Sequence, residues 1–262
     1  MLVRVWAIGL MACVWMTGAA VADETGATIS IAGTHGTHRE SGEVVTAPLV
    51  PAPILRITHK HRQYELLVEA LPPIGPIGVA NNGLGMQNVS LSYGDASLRY
   101  WNRAGTLAVG IGETLYNQST QYLLGESNYF RNTVIDASRV AGVRYEFVGR
   151  IPAAHGDFTE AFVSVNPRLH GRLSWTRQLT ITNLRTGQPI TVPPYTTPSV
   201  YELGSEVGAG VRYVHRSGPN EISVGVRYLN YVARFADGSV NDFADANSFI
   251  LPYISFARYF AH

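Results

Sequence analysis

Cysteine is nearly absent from this 262-residue chain: the single one, Cys13, lies inside the first apolar segment. A disulfide framework is thereby excluded. Charge is sparse as well. Charged residues make up 15% of the chain and nearly cancel to a formal net charge of +1, so there is no electrostatic case for nucleic acid or for a polybasic membrane patch. Beyond the amino-terminal segment no apolar run is long enough for a spanning helix. Neither an internal repeat of solenoid length nor a low-complexity linker divides the sequence, which leaves one domain. What the chain does have is 26 glycines and 14 tyrosines, a composition suited to a β-rich protein.

Residues 1–22 read as a secretory signal. Arg4 is the charged start, Val5 to Gly18 the apolar core, and Ala20-Val21-Ala22 a small-residue cleavage site before Asp23. A rival lipobox-like element, Leu10-Met11-Ala12-Cys13, would leave a lipid on Cys13. Its methionine and the apolar run continuing past the cysteine count against it. Cleavage after Ala22 gives a cysteine-free domain, residues 23–262.

Within that domain the dominant signal has a period of two. From Val200 to Phe235 the chain reads as two long strands joined by a turn at Arg216–Asn220. One face of the first strand carries Tyr201, Leu203, Ser205, Val207, Ala209, Val211 and Tyr213. The other carries Glu202, Gly204, Glu206, Gly208, Gly210, Arg212 and Val214. An apolar face bounded by tyrosines, opposite a charged and glycine-rich one, is the pattern of a strand with lipid on one side and a polar lumen on the other.

The same alternation predicts strands over 27–38, 51–60, 63–71, 88–101, 106–118, 134–151, 159–175 and 248–260, making ten with the hairpin. Eight and twelve are the neighbouring even counts. In the fourth, a bulge at Gly94-Asp95 is needed to keep Leu91 and Tyr93 on the face of Ala96, Leu98 and Tyr100. The seventh runs through Pro167 and Gly171 as one strand without a phase slip, placing Arg168, His170 and Arg172 inward. Glu113 falls on an apolar face, and the last strand is apolar on both faces and has no evident orientation. Short connections near 60–63, 102–105, 152–157 and 216–220 alternate with longer ones near 39–49, 72–87, 119–133, 179–198 and 236–247. The expected fold is all-β: a closed antiparallel up-and-down transmembrane barrel of ten strands, with both termini on the short-turn side.

Over residues 27–260 the chain resembles bacterial outer-membrane β-barrel proteins. Its aromatic last strand, ending near Phe260, is similar to the assembly signal of that class, although Ala261-His262 follow. The resemblance implies the bacterial outer membrane as location, its lipid and the barrel-assembly machinery as partners, and a monomer. Omptin-like proteases resemble the chain in having ten strands, but their acidic and Asp/His rim pairs have no counterpart in it. Tyr213-Val-His215-Arg216-Ser217 resembles the His-x-Ser-Asn element of lipid A deacylases, with Gly218 in place of the asparagine and the element at the wrong rim. A polar turn after an interfacial tyrosine is the plainer reading.

The inward set comprises Arg56, Lys60, Arg144, Arg150, Arg168, Arg172, Arg212 and Arg227 against Glu65, Glu69, Glu146, Glu160, Glu202, Glu206 and Glu221. A ten-strand barrel is roughly 20 Å across, and long side chains from facing walls fill most of that width. Unpaired buried charge is costly, so these groups are expected to form one lumen-facing network and leave at most a narrow passage. A small channel or a non-catalytic surface protein follows, with an enzyme at the extracellular rim as the alternative. A soluble ligand-binding barrel would need the two faces exchanged.

Other clusters have plain readings. His59 with His61 and His35 with His38 have ligand-like spacing but lie at opposite rims, and no metal or cofactor is expected. Asp237, Asp242 and Asp245 form a solvated acidic loop rather than a calcium loop. Tyr122, Leu123, Leu124, Tyr129 and Phe130 belong to a structured outer loop.

Overall fold

The computed structural model describes residues 23–40, 43–78, 85–127, 129–168, 172–191, 193, 195–236 and 243–261. The predicted signal, residues 1–22, lies outside them. Twelve strands appear: β1 (Glu24–Glu40), β2 (Glu43–His61), β3 (Tyr64–Gly78), β4 (Gly85–Trp101), β5 (Leu107–Glu126), β6 (Phe130–Pro152), β7 (Phe158–Asn166), β8 (Arg172–Asn183), β9 (Pro189–Thr191), β10 (Tyr195–Ser217), β11 (Asn220–Ala236) and β12 (Phe243–Ala261).

From β1 to β7 and from β10 to β12 each strand pairs antiparallel with its chain neighbour, and β1 pairs with β12 over Glu24↔Ala261 to Arg39↔Ala246, which closes the sheet. β7 and β8 share one stave. β6 bonds to β7 through its carboxyl-terminal half and to β8 through its amino-terminal half, and β10 does the same from the other side. The short β9 hangs on β8 as an extra strand. The result is a closed ten-stranded antiparallel barrel, in which no ladder edge is left open to lipid.

The stave shared by β7 and β8 corrects the sequence reading. Val165 pairs with Tyr145 and Thr176 with Ala137, so eight steps of β6 face eleven of its neighbour. That odd shift breaks the alternation drawn through Trp175. Pro167, unable to donate to the ladder, stands where the strand is interrupted.

β4 holds the second correction. Gly94 and Asp95 pair in regular register with both neighbours, without a bulge. Alternation along β4 is therefore unbroken, and Leu91, Tyr93, Asp95, Ser97, Arg99 and Trp101 are all buried in the interior. The last strand is now oriented. Ile250, Ile254, Phe256 and Phe260 are about half exposed on the outside, whereas Leu251, Ser255 and Ala257 are buried.

The outer wall carries a continuous apolar belt toward the short-turn end: Ile29 and Ile31 on β1, Leu55 and Ile57 on β2, Val109 and Ile111 on β5, and Ile222 to Tyr228 on β11. On β5 the belt runs from Leu107 to Leu115, a rise of roughly 20 Å for a strand tilted near 40°, close to the apolar band of a membrane barrel. Glu113 lies near its upper limit. Immediately above, Arg139 donates to Asn117 at 2.8 Å and Asn117 to Ser92 at 3.3 Å, a polar row on the outer face. The misplaced carboxylate thus marks the membrane boundary. At the lower boundary Tyr64 and Tyr100 meet as a tilted pair with ring centroids 5.3 Å apart, at the level where interfacial aromatics sit.

The connections expected as long loops are largely strand. β6 and β10 each have 23 residues, a height of roughly 55 Å at the same tilt, so about half of the barrel projects beyond the belt. Tyr122, Leu123 and Leu124 belong to β5 rather than to a loop.

A charge at mid-belt faces hydrocarbon, and one at the boundary reaches water. Ile111→Arg is therefore expected to lower the stability of the bilayer-folded protein by about 2–4 kcal/mol, and Glu113→Arg by about 1 kcal/mol or less. Equilibrium denaturant titration in liposomes measures both.

Candidate functional site: the ionic interior

Inside the belt, alternate residues of β2, β3, β4, β6, β7, β10 and β11 meet in a network of ion pairs. One chain of contacts is unbroken from β4 to β11. Arg144 reaches Asp95 at 2.5 Å and Glu146 at 3.3 Å. Glu146 also receives Arg99 Nε, whose Nη1 donates to Glu65 at 3.0 Å. Glu65 in turn holds Trp101 Nε1 at 2.8 Å and lies 4.0 Å from Arg150. Arg150 donates to Glu160 at 2.7 Å, Arg212 to Glu160 at 2.9 Å, and Arg212 lies 3.7 Å from Glu221. Tyr259 closes the series on Glu221 at 3.1 Å.

A second group crosses the lumen. Glu69 on β3 accepts Arg56 Nε at 2.8 Å and also receives Arg227 from β11 and the hydroxyl of Tyr93. Arg227 bonds Tyr93 at 2.9 Å as well. Three staves, β12, β1 and β2, lie between β11 and β3 around the ring, so Arg227 and Glu69 span nearly facing walls.

Glycine gives these arginines their room. Gly110 lies across from Arg99 on one side and Glu146 on the other. A Cβ there would come within 3.2 Å of the Arg99 chain and 3.3 Å of the Glu146 carboxylate. Gly225, opposite Arg212, is tighter: its Cβ would stand 2.6 Å from the Val211 carbonyl. On the glycine-rich inward face of β10 the neighbours are different: Gly208 faces Ser164 and Gly210 the Phe162 ring.

The carbon-rich layer above the ion pairs was missed by the sequence reading. Ala52, Ile54, Leu71, Leu91, Tyr93, Tyr116, Val140 and Leu229 form a buried cluster with Phe249 and Tyr253 against it. On β2, β3, β4, β6 and β11 these residues lie one or two inward positions beyond the charged ones. Space among the ion pairs is about 20 Å³, room for about one water. Below them a vestibule of about 60 Å³ opens toward the short turns, lined by Lys60, Arg216 and Glu24 among others.

The network thus brings together Arg56, Glu65, Glu69, Arg144, Glu146, Arg150, Glu160, Arg212, Glu221 and Arg227 from the expected set. Buried Glu206 faces the Tyr116 hydroxyl and the field of Arg144, and Lys60 stays in the vestibule. Arg168 is a correction: it is exposed at the break after β7 and takes no part. The side chains of Arg172 and Glu202 lie outside the described residues, as do those of His38 and Asp245, and Asp237 and Asp242 lie outside them altogether. Arg99, Asp95, Trp101 and Tyr93 are members that the sequence reading missed. Strict alternation from Glu65's partner strand would have found all four.

At the lower rim, on the outside, Asp157 accepts the Tyr213 hydroxyl at 2.5 Å, lies 3.0 Å from His215 Nδ1 and receives the Arg216 amide at 3.3 Å. Asp157 thus clamps the turn through Tyr213, His215 and Arg216, and among the described residues no hydrogen bond joins His215 to Ser217. His61 Nδ1 pairs with Asp23 at 2.6 Å and His59 with Thr25 at 2.9 Å. No group of three metal-ligating side chains occurs among the described residues.

No family model and no curated protein matches the chain. Among solved structures, the outer membrane protease OmpT from Escherichia coli is similar over 94% of this chain and 99% of its own, at 10% identity and a TM-score of 0.60. The fold is that of a bacterial outer-membrane β-barrel. The Ralstonia pickettii toluene transporter TbuX covers 92% of this chain and 90% of its own at 9% identity and a TM-score of 0.42. Ail, the attachment invasion locus protein of Yersinia pestis, covers 88% and 97% at 11% identity and 0.28. At 10% identity the likeness to OmpT speaks to the fold and not to the activity.

Removing one partner from a buried ionic group strands the others. Glu69→Gln leaves Arg56 and Arg227 facing one neutral amide, and a loss of about 3–5 kcal/mol is expected in denaturant titrations. At the rim, the hydrogen bonds of Tyr213 and His215 hold Asp157 down at about 2, against an ordinary value of 3.8. A depressed carboxylate contributes stability that is present above its unfolded value and lost as pH falls through the folded one. The wild-type protein should therefore lose more stability than Asp157→Asn between about pH 4 and 2, as followed by tryptophan fluorescence.

Proposed function

We propose that this protein is a non-conducting barrel of the bacterial outer membrane, a sealed stem that carries a surface-exposed upper half. The observation that supports it most is the double closure of the lumen. Ion pairs cross it between facing walls, leaving room for about one water, and an apolar layer lies directly above. A hydrated ion would have to break buried charge pairs and then cross a dry constriction, each costing several kcal/mol.

In this reading the leader is removed after Ala22 and the mature chain stays monomeric. The aromatic last strand engages the assembly machinery. The short turns and both ends of the chain face the periplasm, because even-stranded bacterial barrels place short turns there and their longer extensions outside. The roughly half of the barrel above the belt is then extracellular, and the protein acts at the cell surface through those strand ends.

Purified protein reconstituted in a planar bilayer tests the proposal. It should insert without discrete conductance steps while keeping heat-modifiable gel migration. Steady unitary steps from the heat-modifiable form would overturn it.

A further inference from the structure

The lower rim is electrostatically lopsided. On the arc from β7 to β10, Asp157 is engaged by Tyr213 and His215. On the arc from β12 to β5, the carboxylates Asp23 and Glu24 are already paired, with His61 and Arg216 respectively. Arg62, in the β2–β3 turn, and Arg103, in the β4–β5 turn, are both exposed, and neither has an ion pair among the described residues. Their turns contain no acidic residue.

These two turns are built as one unit. The Trp101 amide donates to the Gln63 carbonyl at 2.7 Å, tying the β2–β3 turn to the end of β4. On the outer wall directly above, Tyr64 and Tyr100 form the tilted pair, and the Tyr100 hydroxyl reaches Gln63 at 3.3 Å. Free guanidinium groups therefore lie at headgroup depth beneath two aromatic rings at acyl depth. Farther along the same arc Arg258 repeats the motif, exposed beside the Phe260 ring at 5.8 Å.

We propose that this arc binds an anionic phospholipid of the periplasmic leaflet, with Arg62 and Arg103 on the phosphate and the Tyr64–Tyr100 pair against the upper glycerol and first acyl carbons. A phosphodiester supplies the charge that the turns lack, and tethering to an acyl chain supplies the contact that a soluble phosphate cannot make with the rings. This assignment rests on the orientation given under the proposed function, since the leaflet follows from which rim is periplasmic.

The full-length mature barrel, in nanodiscs of equal phosphatidylglycerol and phosphatidylethanolamine, provides the test by native mass spectrometry of retained lipids. The wild type should keep phosphatidylglycerol over phosphatidylethanolamine by about tenfold at low salt. The double variant Arg62→Gln/Arg103→Gln should fall near parity, and Arg185→Gln, at the opposite rim, should match the wild type. Glutamine keeps a side chain at Arg62, whose φ of 55° is left-handed in either case, and heat-modifiable migration checks that each variant folds. Selectivity surviving in the double variant, equal loss in Arg185→Gln, or displacement of the lipid by glycerol phosphate would overturn the site. Labelling of Ala104→Cys in cells by an impermeant maleimide separates the two claims. Reaction only after outer-membrane permeabilisation supports the orientation. Reaction in intact cells overturns the orientation and the leaflet with it, whatever the lipid selectivity.

Discussion

A guanidinium group surrounded by hydrocarbon-backed walls is stable only when a carboxylate reaches it, and in this barrel the walls stand close enough for that to happen across the lumen. Arg227 meets Glu69 from a nearly facing strand, while Arg99, Arg150 and Arg212 link neighbouring staves into one chain of alternating sign. Much else follows from this arrangement. Glycines such as Gly110 and Gly225 occupy the positions opposite the arginines because a side chain there would displace them. The outer wall of the belt can be apolar because, among the described residues, every charge of that region except Glu113, near its edge, has been turned inward or placed at a rim.

The interior is layered along its axis. A small vestibule faces the short turns, ion pairs occupy the middle of the belt, and an apolar cluster closes the level above them. Each layer covers what the other leaves open. The ion pairs fix facing walls at a set distance, and the side chains of Leu91, Tyr116, Val140 and Leu229 exclude water from their upper surface. Such a stem is rigid where it crosses the membrane and leaves chemistry and recognition to the portion beyond it.

The period of two in the sequence was sufficient for the closed barrel and for most of the inward charges, because within the belt one face meets lipid and the other meets charge. Where one of those conditions lapsed, reading became harder. Above the belt both faces of a strand meet water or protein, so residues 119–126 looked like loop although they extend β5. Leu91 and Tyr93 require a bulge only on the premise that a lumen is polar throughout. The apolar layer removes that premise, and with it the error that hid Asp95 and Arg99. At Pro167 a strict alternation was carried across a break whose odd register shift is set by pairing with β6, a long-range fact with no local signature. Glu113 was visible as a misfit, and only the polar row of Ser92, Asn117 and Arg139 above it gives it a meaning.

The central claim, that facing walls are held by charge neutralised across the lumen, is tested most directly by a double-mutant cycle on Arg227 and Glu69 with leucine at each position, read from denaturant unfolding in liposomes. The account predicts that the two single losses are strongly non-additive, with a coupling of more than about 1.5 kcal/mol. Additive losses, with no coupling between the two positions, would contradict it.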